Sequence, residues 1–406
     1  MHIMKQMKAD ILISGGGIAG LTLGIFLGKA GLDVHLIDTA PPPANPAASG
    51  RTIALMQNSL NILGATGVWD KIAEHAAPLE TMRIVDDNNV YTEVEFHAGD
   101  IGLAQFGFNI PNSILRSSLH DIAKTIKNLT LHIPDMLESF ENEGASVTGS
   151  LKSGKEITAN LLIGADGSKS LVRNISGIDV KENDYKQSAI TCLISHSRTH
   201  NNTATEFHRP GGPLALVPMP GNQSSVVWIE PTERADDIMR LRKDEFTQAL
   251  QKLTGDILGA IQLSGTPECW PIKSIKAKTL TAPRVVLMAE AAHVISPITA
   301  QGLNLSLRDV AALAETIVDA ARAGIDIGGA SVLNTYEKRR RIDINTRVFG
   351  VDGMNKIVST DANALKGLRR AGLKTVDAIA PLKKIAMRIG LAPEIDSGRL
   401  AKGEKL

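Results

Sequence analysis

The sequence is poor in cysteine and in aromatic residues, and each shortage argues against particular kinds of binding site. Only two cysteines, Cys192 and Cys269, occur in 406 residues, and their separation fits no metal-ligand spacing. Nothing indicates an oxidising compartment, so we interpret both as thiols that pack as small apolar side chains. Phe, Trp and Tyr make up 3% of the residues, too few for platforms on which nucleic-acid bases stack.

Excess charge and long apolar stretches are missing as well. The formal net charge is +1, which argues against nucleic acid as a partner. No segment offers the roughly 18 uncharged apolar residues that a membrane-spanning helix needs. The first residues, MHIMKQMKADILISGGG, lack the unbroken apolar stretch and the cleavage site of a signal peptide. These absences predict a cytoplasmic protein.

The first forty residues have the pattern of a β-α-β unit. A strand over Asp10–Ser14 is followed by helical spacing over Ala19–Ala30 and by a second strand over Val34–Asp38. Because such crossovers are right-handed, the two strands are expected to be parallel.

The rest of the chain alternates between helical and strand patterns. Periodicity predicts a strand pair within 151–164, a buried strand over 284–288, and short antiparallel strands over 185–229. The predicted helices cover 59–77 (interrupted at Gly64 and Gly67), 112–127 (capped by Asn112 or Ser113), 236–253 and 305–321. An α/β doubly wound nucleotide domain interrupted by an antiparallel sheet is the simplest assembly.

Residues 15–20 read GGGIAG and satisfy the G-x-G-x-x-G pattern between a strand and a helix. Gly15 allows the tight turn, Gly17 lets the backbone approach a pyrophosphate, and Gly20 lets the helix pack on the strand. Ile18 and Ala19 begin the helix, whose N-terminus favours negative charge. The motif predicts a dinucleotide site.

Asp38 strengthens that prediction. It follows Gly20 by 18 residues and stands at the end of the second strand. A carboxylate there can accept the hydroxyl groups of an adenosine ribose, which implies a ribose without a phosphate.

A second motif, LIGADGSKSLVR, covers residues 162–173. A strand delivers Asp166-Gly167 to a turn, and Arg173 could offer a bidentate fork to a phosphate of a second nucleotide. A strand that ends in an Asx-Gly turn with a helix cap would have the same sequence. Both interpretations stay open.

The third motif, residues 288–309, reads MAEAAHVISPITAQGLNLSLRD; we call it the late strip. A strand ends at Met288 and small residues turn the chain, so Glu290 can face a polyol. Pro297 blocks helix extension. Gly302, Leu303 and Asn304 then expose backbone N–H groups at a helix start, which suits an electron-rich ring oxygen or a phosphate.

With these motifs in this order, the chain resembles the FAD-dependent aromatic hydroxylases, the single-component flavoprotein monooxygenases. The nearest likeness is to the ubiquinone-biosynthesis hydroxylases. It covers nearly the whole chain and rests on the N-terminal fingerprint, SGRTIAL at 49–55, ILRSSL at 114–119, GADGSKSLVR, GPLALVP, the late strip and the basic C-terminal tail.

The resemblance implies roles for particular residues. The first motif, with Asp38, would bind the ADP half of FAD, and Arg51 and Arg116 would contact the cofactor. Asp166, Gly167 and Arg173 would support both FAD and NAD(P)H. The flavin's ribityl chain and ring would be bound by Glu290, Pro297, Gly302, Leu303 and Asn304. No catalytic residue is assigned, and no metal is expected.

The resemblance also implies an architecture. A discontinuous, Rossmann-like FAD-binding domain would comprise 1–80, 100–180 and 270–345. An antiparallel-sheet substrate domain would comprise 81–99 and 181–269, and a C-terminal helical region 346–406.

The sequence departs from the family pattern at four positions. The late strip has Ala289-Glu290 where the family has Gly-Asp, and Ala300 where it has the first glycine of Gly-Gln-Gly. Asp38 replaces a common glutamate. Each acceptor survives, so we expect FAD still to bind, while the added methyl groups bear on ring position and affinity.

The reaction implied is hydroxylation of the aromatic ring of a polyprenylated ubiquinone precursor, with NAD(P)H and O2, through a flavin hydroperoxide. Two alternatives remain: a flavoprotein reductase or dehydrogenase of the same fold, and a non-catalytic subunit of a ubiquinone-biosynthesis complex. His293 is interpreted as a hydrogen-bonding structural residue, and Trp228 as core packing. His208 and Arg209 are weaker candidates for a role near substrate.

The C-terminal region is basic and amphipathic. Apolar residues recur at roughly helical spacing and break near Gly372 and Pro381, which predicts two short amphipathic helices. The basic residues between 361 and 390 are Lys366, Arg369, Arg370, Lys374, Lys383, Lys384 and Arg388, against Asp361 and Asp377. One interpretation is peripheral contact with the inner face of the cytoplasmic membrane. The other is that these helices cover the protein's own core.

Overall fold

The computed structural model describes residues 6–44, 50–86, 92–359, 372, 375, 377–391 and 398–406. Its core is built from two large sheets, with a small three-stranded sheet beside them. The largest apolar cluster surrounds the first large sheet, and a smaller one lies on the second.

The first sheet has the order β17-β18-β11-β1-β2-β8, and β10 and β9 extend from β11. The strand pairs β1/β11, β1/β2, β2/β8 and β11/β18 are parallel, as the β-α-β prediction requires of β1 and β2. Its strands are β1 (Gln6–Ser14), β2 (Val34–Ile37), β8 (Leu129–His132), β9 (Leu137–Asn142), β10 (Val147–Leu151), β11 (Glu156–Gly164), β17 (Thr281–Ala282) and β18 (Val285–Leu287). The strand predicted at 284–288 is confirmed as β18, and the strand pair predicted within 151–164 is confirmed in part, because β11 lies there but its partner β10 begins earlier, at Val147.

Helices cover this sheet, because packing their apolar faces on its strands removes the apolar surface of both from water. The helix α1 is almost entirely buried and packs against α4 and α8. The helices of this part of the chain are α1 (Ile18–Lys29), α2 (Gln57–Gly64), α3 (Trp69–Ile72), α4 (Asn112–Ala123), α5 (Leu171–Ile175), α8 (Gly302–Arg322) and α9 (Ala330–Ser359).

The second sheet has the order β19-β16-β12-β15-β14-β13-β5-β6. It is antiparallel, as predicted for 185–229, except where β13 runs parallel to β5. Two helices, α6 (Thr232–Met239) and α7 (Lys243–Thr254), pack on one face. The strands are β5 (Thr81–Asp86), β6 (Thr92–His97), β12 (Val180–His196), β13 (Thr203–His208), β14 (Leu214–Met219), β15 (Gln223–Pro231), β16 (Ile261–Ala277) and β19 (His293–Val294).

The small sheet consists of β3 (Thr52–Met56), β7 (Gly107–Pro111) and β4 (Ala77–Leu79). It meets the second sheet through Asn109, whose amide donates to the Pro218 carbonyl at 2.9 Å. Thr52 donates to Ser225 on β15 at 2.7 Å. These contacts attach the small sheet to the second large sheet.

The late strip passes from one large sheet to the other. It leaves the first sheet at the end of β18, and His293 pairs with Lys276 of β16 in the second sheet. It then forms a 3₁₀ turn at Pro297–Thr299 and begins α8 at Gly302. One short segment therefore ties both sheets to the longest buried helix.

Some details differ from the sequence-based predictions. The predicted helix over 59–77 is two helices and a 3₁₀ turn. The predicted caps of α4 were wrong, because the helix begins after Pro111 with no side-chain cap. The strand β16 continues through the predicted domain boundary at 269–270, and α9 through the one at 345–346.

The predicted C-terminal helices are described in part. The first lies mostly outside the described residues. The second is α10 (Ala380–Leu391), which begins beside the predicted break at Pro381. Within the described ranges, no helix has the length and apolar character needed to cross a membrane.

Candidate cofactor-binding and active site

A single long cleft of about 950 Å³ runs along the carboxyl ends of β1 and β2 to the start of α8. One end is lined by the first motif and Asp38, and we call it the adenosine end. The other is lined by Glu290, Gly302 and Leu303, and we call it the ring end. The predicted site residues that line the cleft are Gly15, Gly17, Ile18, Ala19, Gly20, Asp38, Arg116, Asp166, Gly167, Glu290, Gly302 and Leu303.

The three glycines of the first motif differ in what a side chain would meet. A Cβ on Gly15 would lie 2.2 Å from the Ala165 carbonyl oxygen, and one on Gly20 would lie 1.9 Å from the Gly15 carbonyl oxygen. These two glycines are required by close backbone packing. A Cβ on Gly17 would meet nothing within 4 Å, so the space in front of it is open to a ligand.

Asp38 is held in place before any ligand arrives. Its Oδ2 accepts the Gly16 backbone N–H at 2.6 Å and Arg116 at 3.3 Å, and its Oδ1 accepts the Ala40 N–H at 3.1 Å. Arg116 also donates to the carbonyls of Gly16 and Ala40, at 3.1 and 2.8 Å. Arg116 therefore braces the carboxylate and the glycine turn together.

The wall opposite the first motif was missed by the sequence analysis. Residues Asp135, Met136, Leu137 and Glu138 line the adenosine end, and the Asp135 backbone N–H donates to the Asp38 carbonyl at 2.9 Å. They follow β8, the strand beside β2. The only available signal was position, since a loop after a parallel strand opens onto the edge where ligands bind.

The Asp-Gly motif forms the turn with a capped helix that was one of its two interpretations. Asp166 accepts from the Ser170 hydroxyl at 2.5 Å and from the Val172 N–H at 3.1 Å, and Ser170 caps α5. Gly167 has φ of +81°, and open space lies where its Cβ would be. Asp166 and Gly167 nevertheless line the cleft.

Arg173 does not offer the predicted fork to the cleft. Its side chain is buried, and its terminal nitrogens donate to the carbonyls of Ala291 at 3.0 Å and Ser168 at 2.8 Å. Buried guanidinium nitrogens need acceptors, and two backbone carbonyls supply them. Arg173 thus joins the second motif to the late strip.

Three other predicted residues lie outside the cleft lining. Arg51 is exposed, and its guanidinium lies 4.2 Å from the centre of the Trp270 ring. The Asn304 side chain bonds Met56 N–H, the Ala54 carbonyl and the Ala300 carbonyl, at 2.8 to 2.9 Å. Pro297 begins the 3₁₀ turn.

At the ring end, Glu290 is exposed within a turn that small residues form. It makes no hydrogen bond or ion pair with any of the described residues, so its carboxylate is available to a ligand. Gly302 begins α8 and has open space where a Cβ would be. A carboxylate and a helix N-terminus therefore face the same space.

Both alanines that replace family glycines have a left-handed backbone. Ala289 has φ of +54° and Ala300 has φ of +51°. This conformation costs an alanine about 1–2 kcal/mol. Ala289 is buried, whereas Ala300 is exposed. The turns keep the shape that glycine would give them, at some cost in backbone strain.

His293 is buried and has a structural partner, as interpreted from the sequence. Its Nε2 lies 2.6 Å from Oδ2 of the buried Asp309. Trp228 is buried in the core of the second sheet, also as interpreted. Of the weaker candidates, His208 contacts Glu206 at 3.1 Å and Arg209 contacts Glu230 at 3.2 Å, and neither lines the cleft. Cys192 is buried, which raises its pKa to about 12, and Cys269 is partly buried.

These features fit FAD. Open cradles at Gly17 and Gly302, each at a helix start, suit a pyrophosphate and an electron-rich ring. Carboxylates at Asp38 and Glu290 suit the hydroxyl groups of a ribose and of a polyol. The two ends lie in one cleft, as one extended dinucleotide requires.

Comparisons with known proteins agree with this assignment. The profile of the FAD binding domain family matches residues 8–348. Ubiquinone hydroxylase UbiL of Rhodospirillum rubrum is 32% identical over 409 residues, covering 98% of this chain and 94% of that protein. The 3-demethoxyubiquinol 3-hydroxylase of Escherichia coli is 28% identical over 395 residues, covering 96% of this chain and all of that protein (100%).

Among solved structures, p-nitrophenol 4-monooxygenase PnpA of Pseudomonas putida superposes with a TM-score of 0.78. It is 16% identical and covers 95% of this chain and 98% of its own. At that identity the likeness concerns the fold.

The first test concerns Gly17. We expect Gly17→Ala to leave the stability of the apoprotein unchanged, because the added methyl enters open space. It should weaken FAD binding by about tenfold, or about 1.4 kcal/mol, because a pyrophosphate would occupy that space. Titration of apoprotein with FAD measures the affinity. The matched control is Gly64→Ala, where a Cβ also meets nothing within 4 Å and the backbone is not left-handed, but which lies outside the cleft lining. Equal FAD affinity in wild type and Gly17→Ala would contradict the pyrophosphate assignment.

A second test concerns the strained alanines. Ala300→Gly should stabilise the apoprotein by about 0.5–1 kcal/mol, because relief of strain exceeds the extra chain entropy of glycine. Ala289→Gly should change stability by much less, because it also loses a buried methyl worth about 0.8 kcal/mol. Urea unfolding of each apoprotein measures the difference. The reverse order of stabilities would be inconsistent with this account.

Proposed function

The chain belongs to the FAD binding domain family and is an FAD-dependent monooxygenase, and we propose that it hydroxylates the aromatic ring of a polyprenylated ubiquinone precursor. NAD(P)H and O2 are the proposed co-substrates. The observation that carries the proposal is the single cleft that joins the first motif to the late strip. The likeness to ubiquinone hydroxylases over nearly the full length supports the choice of substrate.

When bound, FAD would supply the redox chemistry by accepting hydride from NAD(P)H and activating O2. The chain's own residues would bind and orient it. Asp38 and Arg116 would hold the adenosine end, and Gly17 would admit the pyrophosphate. Glu290 and the N-terminus of α8 would hold the ring end. This division of labour requires no catalytic triad or carboxylate pair.

The substrate ring is proposed to lie where β3 meets the second sheet. Ile53 of β3 lines the cleft beside the ring end, while its neighbour Thr52 is bonded to β15. The facing side of the sheet carries an apolar cluster that includes Ala189, Val227, Ile229, Trp270 and Ile272, with the polar Ser225 on the same face. Such a surface suits an aromatic ring with a hydrocarbon tail, and it excludes water from the reaction.

The decisive measurement uses purified protein with FAD, NAD(P)H and a polyprenylated phenol under ¹⁸O2. We expect the phenol to accelerate NAD(P)H oxidation and one labelled oxygen atom to enter the ring. A flavoprotein reductase would oxidise NAD(P)H without labelling the product. A control reaction with an apolar benzene analogue that lacks the hydroxyl group should give no labelled product.

Contact with a membrane surface is proposed for α10. One side of this helix packs on the protein through Met387, which lies with Met56 and Phe106. Its other side exposes Leu382 and Ile385, and Ile379 precedes them at the same spacing. Lys384 is exposed among them, and Lys383 is paired with Asp377 at 2.8 Å. An exposed apolar row with a basic residue favours shallow binding to an anionic leaflet.

Vesicle sedimentation tests this contact. The wild-type protein should bind vesicles of mixed neutral and anionic lipid, and Leu382→Asp with Ile385→Asp should reduce binding about tenfold or more. The matched control is Ile325→Asp, an equally exposed isoleucine at 51% outside α10. Equal binding of all variants would remove α10 from the proposed contact.

A further inference from the structure

A buried carboxylate, that of Asp309, lies beneath the ring end and contacts the turn at residues 289–293 twice. Oδ2 of Asp309, on α8, accepts the Ala289 backbone N–H at 3.0 Å and lies 2.6 Å from His293 Nε2. Its Oδ1 accepts from Arg340 of α9 at 2.7 Å. Asp309, His293 and Arg340 are all at most 2% exposed.

This carboxylate stays charged. Burial alone would raise the pKa of Asp309, but its interactions with His293 and Arg340 hold it at about 2. Because a carboxylate only accepts hydrogen bonds, His293 must carry a proton on Nε2. The hydrogen bond to Asp309 thereby fixes the tautomer of the His293 imidazole.

The two contacts hold both ends of one turn. Ala289 begins it with a left-handed backbone, and His293 ends it. Between them lies Glu290, the exposed carboxylate that lines the cleft and has no partner among the described residues. An alanine does not prefer this conformation, so the bond from its N–H to a charged oxygen helps to keep it there.

We infer that Asp309 is a positioning residue for the cofactor's ring end, which acts by clamping the turn that presents Glu290 to the polyol of FAD. The inference rests on the assignment of the cleft to FAD and needs no particular hydroxylation substrate. The other ring nitrogen of His293, Nδ1, has no hydrogen-bond partner among the described residues. A competing explanation is therefore that Nδ1 of His293 itself binds FAD.

Variants of His293 separate the two explanations without removing the Asp309–Arg340 ion pair. The Gln side chain can place a donor near the Nε2 position, and the Asn side chain can place an acceptor near the Nδ1 position. If Asp309 clamps the turn, His293→Gln should bind FAD within about threefold of wild type, and His293→Asn and His293→Leu should bind about tenfold more weakly. If His293→Asn retained its affinity for FAD and His293→Gln lost it, Nδ1 of His293 would be the atom that matters for FAD binding, and the proposal would be overturned.

A second measurement tests whether the clamp acts through Glu290. Glu290→Ala should itself weaken FAD binding, and adding His293→Leu to it should weaken binding little further. Fully additive losses would mean that the clamp does not act through Glu290. The visible circular dichroism of bound FAD should change in His293→Leu and be restored in His293→Gln.

The matched control for general damage is His196→Leu. His196 is a buried histidine in the second sheet, bonded to the Arg198 carbonyl at 2.7 Å and to Ser224 at 3.0 Å. It should lower the melting temperature without changing FAD affinity. If His293→Leu does the same, Asp309 is a purely structural residue and the inference fails. Because the readout is FAD affinity, a protein that hydroxylates no phenol would still give a valid result.

Discussion

Three separate pieces of chain meet at the charged carboxylate of Asp309. The helix α8 carries it, α9 contributes Arg340, and the turn at residues 289–293 contributes the Ala289 N–H and His293. A buried ion without partners costs several kcal/mol, so removing any one of these partners would destabilise the fold. The same two helices bury a second acid, Asp343, which contacts Arg308 at 2.8 Å and Arg340 at 2.9 Å. The floor of the ring end is therefore an ionic layer.

The late strip connects this ionic layer to both large sheets. It ends a strand of the first sheet, pairs with β16 of the second, and starts α8. Arg173 ties it to the Asp-Gly turn through the Ala291 carbonyl, and Asn304 ties α8 to β3 through Met56 and Ala54. Each connection uses a polar side chain to satisfy backbone groups that an irregular segment would leave unpaired. The cleft is consequently bounded by elements that are bonded to one another.

Much of the fold and of the cleft could be predicted from the sequence, because the residues concerned are close together in the chain. Residues 11–14 of β1 and the whole of β2 are buried, so they have the mostly apolar pattern of strands covered on both faces, and they flank a glycine turn that backbone packing requires. What escaped prediction depends on contacts distant in the chain. Arg173 looks like a phosphate ligand until its carbonyl partners are known. The adenosine wall at Asp135 and Met136 has no distinctive residue types. In α9, the buried Arg340 and Asp343 obscure the apolar periodicity, so no helix was predicted over residues 330–345.

The pairing of β1 with β11 and of β11 with β18 has a consequence for synthesis on the ribosome. The glycine turn emerges first, but the turn that carries Glu290 follows it by about 270 residues. At typical elongation rates of about 5–20 residues per second, the nascent chain must wait roughly 15 to 55 s before both halves of the cleft exist. The nascent chain can therefore bind FAD only late in synthesis. Until then, the unpaired edges of its parallel strands are exposed and need protection from aggregation.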